Sequence, residues 1–336
     1  HDAGATRTAT VELEGLVADA RRVGYAPVLA EALVLLGEIE DVDGDNAGSY
    51  QALKEATWQA EASRADELKA EAAVYLVNTA ARLARFDEAN DWERTADAIL
   101  RRIGGHERLR AWLELHTGIS LTEQGRSLEA LPHLERSTAL KAQAGASRGQ
   151  LARNLNDRAV ALDNLGRYEE ALRDVERAID DLGEELGKDH PMVGTLVSNE
   201  GETLDHLGRH ATARAAYTRA LAIEARAYGP ESTNIAFPLT GLGQSFLADH
   251  RPDEARAALE RAAGIRRAHE ADATLVAETD FALARALRAA NVERARAEAL
   301  AAGAEKTYAA RPAFAAKARE VAAWLAAERR GPASAR

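Results

Sequence analysis

The chain has 336 residues, of which 43 are basic and 54 acidic, and its formal net charge is −11. An acidic chain repels phosphate, so this balance argues against a nucleic-acid-binding protein. The sequence contains no cysteine, which excludes a disulfide framework, a thiolate metal site and a cysteine nucleophile. Aromatic residues amount to 5%. Together with the abundance of alanine, this favours helices over the β-branched and aromatic strands of a sandwich or barrel.

Neither a membrane span nor a signal peptide is predicted. No run of 18 apolar residues occurs, so we expect no insertion into a bilayer. The start, His1-Asp2-Ala3-Gly4, lacks the basic and apolar parts of a signal peptide and also lacks an initiator methionine. We therefore expect a piece of a longer protein. Its compartment stays open between the cytoplasm and the outer side of a membrane-anchored bacterial protein.

Helical spacing of apolar residues extends along nearly the whole chain. Residues 1–7 are small and polar, and we predict a disordered segment there. A leading helix is predicted from Thr8 to about Val23. Seven helical pairs follow, at about 27–64, 65–105, 107–146, 149–187, 190–229, 233–270 and 272–310.

A final helix is predicted over about 313–330. Val321, Trp324 and Leu325 share one face of it, which suits a helix that covers the open end of a stack. Residues 331–336 are predicted to form a disordered tail. The sequence thus predicts an all-α fold in which residues 8–330 form a single domain.

One motif recurs at a nearly fixed interval. Leu165-Gly166-Arg167-Tyr168-Glu169-Glu170-Ala171 reappears 42 residues later as Leu207-Gly208-Arg209-His210-Ala211-Thr212-Ala213. The alanines that end the copies lie at 171, 213, 255 and 297, and earlier copies end at Ala89 and Ala130. A period of this size indicates stacked helical repeats.

The motif itself predicts a helical hairpin. Gly166 lies at the turn, where a residue able to adopt positive φ can end the first helix. Ala171 and Ala178 are predicted to be small because the two helices approach closely there. A single hairpin leaves one apolar face bare, so neighbouring hairpins must stack.

These residues resemble a known repeat family. The motif at 165–171, together with Leu186-Gly187-Lys188-Asp189-His190-Pro191-Met192-Val193, is similar to the long, kinesin-light-chain-like tetratricopeptide repeat. The resemblance implies a right-handed α-solenoid of about seven hairpins with a leading helix and a capping helix.

The order of the copies also resembles the C-terminal repeat region of myxobacterial serine/threonine protein kinases. Val23 to Leu33 opens this layout, Arg85 to Ala89 follows, and Val292 to Ala297 closes it. In that family the kinase domain lies N-terminal, so the resemblance implies a sensor or docking region for this chain.

Catalytic and metal-binding motifs are missing. No kinase motif, no Gly-x-Ser-x-Gly elbow and no His-Glu-x-x-His helix occurs. Gly241-Leu242-Gly243 is interpreted as close packing between helices. His206 and His210 are separated by Gly208, which breaks the helix that a metal site would need. We therefore predict a chain that is not an enzyme and that holds no cofactor and no metal.

The remaining function is binding of a protein or an extended peptide. In tetratricopeptide arrays the first helix of each pair lines the concave surface, and Asn156 and Asn199 occupy positions that commonly hold a partner's backbone. Basic residues are few on this surface, so a basic or mixed peptide suits it better than an anionic tail. The predicted partner-binding residues are Arg153, Asn156, Asp157, Asn164, Ser198, Asn199, Glu202, Asp205, His206 and Gln244.

Two alternatives stay open. The chain could be a scaffold that acts by self-association through its ends or outer helices. It could also be the sensor region of a transcription regulator or an NTPase switch protein, since such proteins carry similar repeats.

Overall fold

The computed structural model describes residues 3–270, 272–311 and 314–330, and most of them are helical. No strand occurs within these three stretches. The predicted all-α class is therefore confirmed. The predicted tail at 331–336, the first two residues and the predicted start of the capping helix at 313 lie outside the described residues.

Contacts divide the chain into two compact units, His1–Leu186 and Gly187–Arg336. The helices described in the first unit are α1 (Ala3–Val23), α2 (Ala26–Asp43), α3 (Asn46–Ser63), α4 (Asp66–Arg82), α5 (Phe86–Ile103), α6 (Glu107–Glu123), α7 (Ser127–Gln143), α8 (Arg148–Asn164) and α9 (Tyr168–Leu186). The helices described in the second unit are α10 (Pro191–His206), α11 (His210–Tyr228), α12 (Ala236–Ala248), α13 (Pro252–His269), α14 (Ala273–Ala289), α15 (Arg294–Ala309) and α16 (Ala315–Arg330). A 3-10 turn, Thr233–Ile235, precedes α12. A single continuous domain over 8–330 stays a prediction.

In both units consecutive helices form antiparallel hairpins that stack on one another. The pairs are α2–α3, α4–α5, α6–α7 and α8–α9 in the first unit, and α10–α11, α12–α13 and α14–α15 in the second. First helices of neighbouring pairs also touch, as in α4–α6 and α10–α12. Each unit is therefore an all-α repeat array in which the first helices share one face.

The first helix is longer than predicted. Helix α1 begins at Ala3, whereas the sequence predicted a disordered segment through residue 7 and a helix from Thr8. Residues 3–9 contain no proline and include three alanines, so nothing stops the helix from extending towards the N-terminus. Helix α16 lies against α15 and buries Val321 and Leu325.

The turn inside each hairpin has the same backbone geometry in successive repeats. Gly125, Gly166 and Gly208 have φ of 74°, 72° and 72°. Ala84 and His250 occupy the same position and also have positive φ, 56° in each, although side chains disfavour that region. The prediction that Gly166 ends its helix with positive φ is confirmed, and the geometry belongs to the repeat rather than to glycine.

The alanine that ends the motif marks the closest approach of the paired helices. It is fully buried in six copies, with exposures of 0% for Ala89, Ala130, Ala171, Ala213, Ala255 and Ala297. Ala178 is also 0% exposed, so the predicted small residues do lie where the helices meet. Leucine, valine and tyrosine side chains fill the rest of the core between hairpins.

Candidate functional site

A cavity of about 300 Å³ lies on the first helices of the second unit. Ser198, Asn199 and Glu202 of α10 line it, together with Gln244 of α12. Residues 198, 199 and 202 fall within one turn of α10 and so share a face. The structure therefore brings four of the ten predicted binding residues together in one place.

The base of this cavity is built around Tyr217 of α11, which is 4% exposed. A Cβ atom on Gly241 would lie 2.4 Å from the Cε1 atom of the Tyr217 ring, and one on Gly201 would lie 2.8 Å from it. Gly243 would meet the Cγ atom of Leu259 at 2.4 Å. Glycine at positions 201 and 241 is therefore needed for the Tyr217 ring to lie between α10 and α12. The interpretation of Gly241 and Gly243 as close helix packing is confirmed.

Arg266 of α13 also lines the cavity, although it is only 1% exposed. Within the part of the chain that the structure describes, its Nε, Nη1 and Nη2 atoms have no hydrogen-bond partner. The guanidinium carbon lies 4.6 Å from the ring centroid of Phe237, a cation–π contact. Burial lowers the pKa of Arg266 from its usual value. This is a buried cation without an acceptor.

Nearby carboxylates attract the Arg266 guanidinium from a distance. Glu278 contributes most to this attraction, followed by Glu270 and, more weakly, Asp272. These acids have other partners: Glu278 pairs with Lys317 at 3.5 Å, Glu270 Oε1 accepts a hydrogen bond from the backbone N–H of Asp272 at 3.0 Å, and Asp272 pairs with Arg311 at 3.1 Å. The negative charge of these acids partly balances the positive charge of Arg266, but none of them accepts a hydrogen bond from its N–H groups.

A second buried group, Glu224 of α11, lines the same cavity. It is 4% exposed, and its Oε2 atom has no hydrogen-bond partner in the described stretches. Burial raises the pKa of Glu224 to about 8, so the carboxyl group is mostly protonated at neutral pH. Gly194 of α10 lies close to it, since a Cβ atom there would come within 3.1 Å of the Glu224 Cγ atom.

Arg266 and Glu224 occupy the same position in successive repeats. Each lies eleven residues after a motif alanine, and so do Lys141, Leu182 and Tyr308. Eleven residues are about three helical turns, so this position shares the buried face of the alanine. Leu182 and Tyr308 are each 2% exposed, as expected for a core position. Charged residues at 141, 224 and 266 are exceptions to an apolar pattern.

These three residues were missed by the sequence prediction, which searched the first helices for binding residues. The second helices were treated as packing elements. A comparison of the repeats at the eleventh residue after each alanine would have shown a lysine, a glutamate and an arginine where packing requires an apolar side chain. Tyr217 and Phe237 were also absent from the predicted site.

Asp205 and His206, although predicted as binding residues, do not line the cavity. Asp205 Oδ1 accepts a hydrogen bond from Ser245 Oγ at 2.8 Å and lies 2.8 Å from His210 Nδ1. The Asp205 carboxylate therefore connects α10, α11 and α12, which is a structural role. His206 is exposed at the end of α10.

The other four predicted residues belong to α8 of the first unit. Arg153 and Asn164 are exposed, and Asn156 and Asp157 are half-buried. Burial raises the pKa of Asp157 to about 6, while a hydrogen bond from Asn156 opposes this shift. These residues lie in the first unit and do not line the cavity, so they form a second candidate surface.

A polar cluster lies beneath that surface. The Nζ atom of Lys141 donates to Asn154 Oδ1 at 2.7 Å and lies 4.4 Å from the ring centroid of Trp112. Burial lowers the pKa of Lys141 to about 8. The His116 ring, 4% exposed, meets the Trp112 ring at 5.4 Å. In contrast to Arg266, Lys141 has a hydrogen-bond acceptor.

The described residues offer neither a metal site nor a membrane-spanning helix. No group of three or more histidine, aspartate or glutamate side chains there could hold a metal ion. Within the same ranges no helix is both long enough and apolar enough to cross a membrane. The polar side chains at the cavity can form hydrogen bonds and ion pairs with a ligand.

Comparison with known families identifies the repeats. Residues 150–223 and 193–268 match the tetratricopeptide repeat family. Residues 150–268 therefore consist of tetratricopeptide repeats, and the predicted all-α repeat array is confirmed for the described residues. Such repeats are typically non-catalytic interaction modules. No curated protein sequence matches the chain.

Solved structures share the fold at low sequence identity. NprR in complex with its cognate peptide NprX is 14% identical, with a TM-score of 0.61 over 84% of this chain and 83% of its own. A signal transduction ATPase with a tetratricopeptide repeat sensor from Pyrococcus horikoshii is 15% identical, with a TM-score of 0.59 over 95% of this chain and 48% of its own. Kinesin light chain repeats from Podosopora anserina are 18% identical, with a TM-score of 0.48 over 60% of this chain and 96% of their own.

Proposed function

We propose that this chain is a non-catalytic module that binds an extended peptide or a peptide segment of a partner protein. The binding surface is the cavity on α10 and α12 of the second unit. The observation that carries this proposal is the convergence of Asn199, Glu202 and Gln244 around one cavity of about 300 Å³. Amide side chains can hold a peptide backbone because each offers both a donor and an acceptor.

The comparisons support binding as the general function. NprR, which shares the fold, was solved with its cognate peptide. At 14% identity this likeness concerns the fold, so the ligand of this chain must be argued from its own residues. Cavities of this size, with a few convergent polar groups, are the usual form of a ligand site.

Selection from a random peptide library displayed on phage tests this function. The variant Asn199→Ala/Glu202→Ala/Gln244→Ala should lose the selected peptides, with the largest loss for those that bind tightest. A matched triple variant on exposed positions of the same unit, Thr218→Ala/Glu231→Ala/Asp253→Ala, should keep them. Equal binding by both triple variants would place the ligand elsewhere and end the proposal.

The repeat layout leads us to propose further that the chain is the regulatory or sensor region of a serine/threonine kinase-like signalling protein. Its support is the order of motifs between Val23 and Ala297. The full reading frame tests it directly, because a kinase domain must lie N-terminal to residue 1. A DNA-binding or NTPase domain in that place would favour a transcription regulator or switch protein.

Self-association is the competing function. Trp58 and Leu128 are 60% and 71% exposed, and large exposed apolar side chains of this kind can join copies of a chain. Sedimentation at two concentrations distinguishes the two functions. A mass that stays monomeric at both concentrations removes the self-association proposal.

A further inference from the structure

We propose that Arg266 makes the cavity of the second unit a site for a peptide carboxylate. The carboxylate is either an aspartate or glutamate side chain or the C-terminus of the peptide. This inference rests on the proposed peptide-binding function and specifies the chemical group that the cavity recognises. It revises the expectation that the concave surface disfavours anionic ligands.

The first argument is the state of the guanidinium. A buried ion without hydrogen bonds destabilises the fold, and Arg266 is 1% exposed with no acceptor for Nε, Nη1 or Nη2 among the residues described. Guanidinium N–H groups match the two oxygens of a carboxylate in a bidentate pair. A carboxylate would therefore satisfy donors that the chain itself leaves unsatisfied.

The second argument is the repeat position. An apolar residue at this repeat position is sufficient for packing. Leu182, which occupies it in the first unit, is 2% exposed. The contact of Arg266 with Phe237 offsets only part of the cost of burying the charge, so an arginine at this position is unfavourable for packing. It does, however, place five donors beside the cavity that Asn199 and Gln244 line. A ligand-binding role accounts for the arginine, whereas a packing role does not.

Phe237 controls access to the guanidinium. Its ring covers the Arg266 side chain at 4.6 Å and is 48% exposed. Because Phe237 is nearly half exposed, we infer that rotation of its side chain uncovers the guanidinium. Rotations of exposed side chains are fast, on the order of nanoseconds. The incoming carboxylate thus replaces the ring over the cation.

The surrounding acids limit the ligand to one carboxylate at this point. Glu202 is exposed at the edge of the cavity, and Glu278 lies on its α14 side. Glu278 pairs with Lys317, whereas a second anionic residue of the ligand next to Glu202 would be repelled. The favoured peptide carries one carboxylate flanked by neutral or basic residues.

Retention of peptide pools on the immobilised chain tests the inference. All pools are N-acetylated, and the positions that flank the central residue are random. Three pools are amidated and have glutamate, glutamine or lysine at the centre, and a fourth has central glutamine with a free C-terminal carboxylate. Mass spectrometry measures the retained amount for the wild-type chain, for Arg266→Met and for the control Arg256→Met. Arg256 is a partly exposed arginine on the same helix, and it pairs with Asp253 at 3.8 Å.

We expect the wild-type chain to retain one carboxylate pool about tenfold more than the amidated glutamine pool, as for one charge-assisted hydrogen-bonded pair. The glutamate pool identifies a side-chain carboxylate, and the fourth pool identifies a C-terminal one. Arg266→Met should abolish this preference, and Arg256→Met should keep it. Circular dichroism verifies that both variants are folded.

Three results would overturn the inference. Preference for the lysine pool, or a carboxylate preference that survives in Arg266→Met, removes the role of Arg266 but leaves peptide binding intact. The role of Arg266 would also be removed, and peptide binding kept, if retention depended on Asn199, Glu202 and Gln244 but showed no preference among the four pools. If the wild-type chain retains no pool, the inference and the proposed function both fail.

Discussion

The guanidinium of Arg266 lies 4.6 Å from the ring centroid of Phe237, and this stacking takes the place of the hydrogen bonds that a buried arginine normally makes. A cation–π contact of this kind contributes about 2 kcal/mol when desolvated. Removing an ion from water costs several kcal/mol. The contact therefore offsets only part of the cost of burying Arg266.

This imbalance predicts that Arg266→Met stabilises the chain. Methionine is unbranched and adapts to irregular spaces, so it fills most of the volume without a charge. We expect the free energy of unfolding to rise by about 2 kcal/mol, within the range found when buried ions are replaced by apolar residues. Urea denaturation followed by circular dichroism measures this change.

The control Arg256→Met should change the free energy of unfolding by less than about 0.5 kcal/mol, because Arg256 forms only a solvated surface ion pair with Asp253. A stability loss in Arg266→Met as large as that from breaking a buried ion pair, about 3 kcal/mol, would contradict the prediction. It would show that the guanidinium is satisfied within the fold.

Glu224 predicts a pH-dependent stability. Its pKa is about 8 in the folded chain, against 4.5 for an unburied glutamate. The folded state therefore binds the proton more strongly, and the stability that Glu224 contributes below pH 4.5 is lost as the pH rises through about 8. Glu224→Gln removes this titration and keeps a side chain of similar size.

We expect Glu224→Gln to be more stable than the wild-type chain at pH 9, by about 4 kcal/mol, and nearly equal to it at pH 5. Thermal unfolding at both values measures the difference. Other acids titrate in both proteins and cancel in the comparison. A constant difference between pH 5 and pH 9 would show that Glu224 is ionised throughout.

The repeat architecture could be predicted because it depends on local rules that act in every copy. The spacing of Ala171 and Ala213 sets the period, and Gly166 and Gly208 set the turn. Each rule applies in every copy, so a copy that departs from the pattern can still be recognised by comparison with the others. The start of α1 was predicted less well than its end, because a single helix has no second copy for comparison.

The candidate site was predicted only in part, for a physical reason. Exposed polar residues on first helices, such as Asn199 and Gln244, follow from the repeat pattern alone. Arg266 and Glu224 reach the cavity from second helices, where the pattern predicts packing. Whether a charged side chain at such a position has a partner depends on residues of neighbouring hairpins. The pattern within one repeat does not show which residues of the neighbouring hairpins come close to that side chain.

His116 predicts an acid-sensitive contribution to stability. Its Nδ1 atom donates to the carbonyl oxygen of Val74 at 2.9 Å, and burial lowers its pKa from 6.5 to about 4. The unfolded state therefore binds the proton more strongly. The stability contribution is present above pH 6.5 and is lost as the pH falls through about 4.

His116→Asn should reduce this acid sensitivity. The Asn amide can still donate to the Val74 carbonyl, but it does not titrate. Lys141 and Arg82 disfavour the charged imidazole, and both remain in the variant. Between pH 7 and pH 4 we expect the wild-type chain to lose about 2 kcal/mol more than the variant, measured by urea denaturation. Parallel losses in the two proteins would mean that His116 binds its proton as readily in the folded chain as in the unfolded one.

The space around Gly241 connects the stability of the chain with the shape of the cavity, because Gly241 packs against Tyr217. A Cβ atom there would lie 2.4 Å from ring atoms of Tyr217, much closer than carbon atoms can approach. Gly241→Ala should therefore lower the free energy of unfolding by about 2 kcal/mol through overpacking. It should also shift the Tyr217 ring at the base of the cavity and weaken peptide retention.

Gly303→Ala is the matched control, because Gly303 lies inside α15 with no atom within 4 Å of an added Cβ. Alanine at an open helical position should stabilise the chain by about 1 kcal/mol. A second variant, Tyr217→Leu/Gly241→Ala, removes the ring and should recover stability relative to Tyr217→Leu alone. If alanine at 241 costs the same with and without the ring, the clash with Tyr217 is not its cause, because a double-mutant cycle isolates the contact between the two residues.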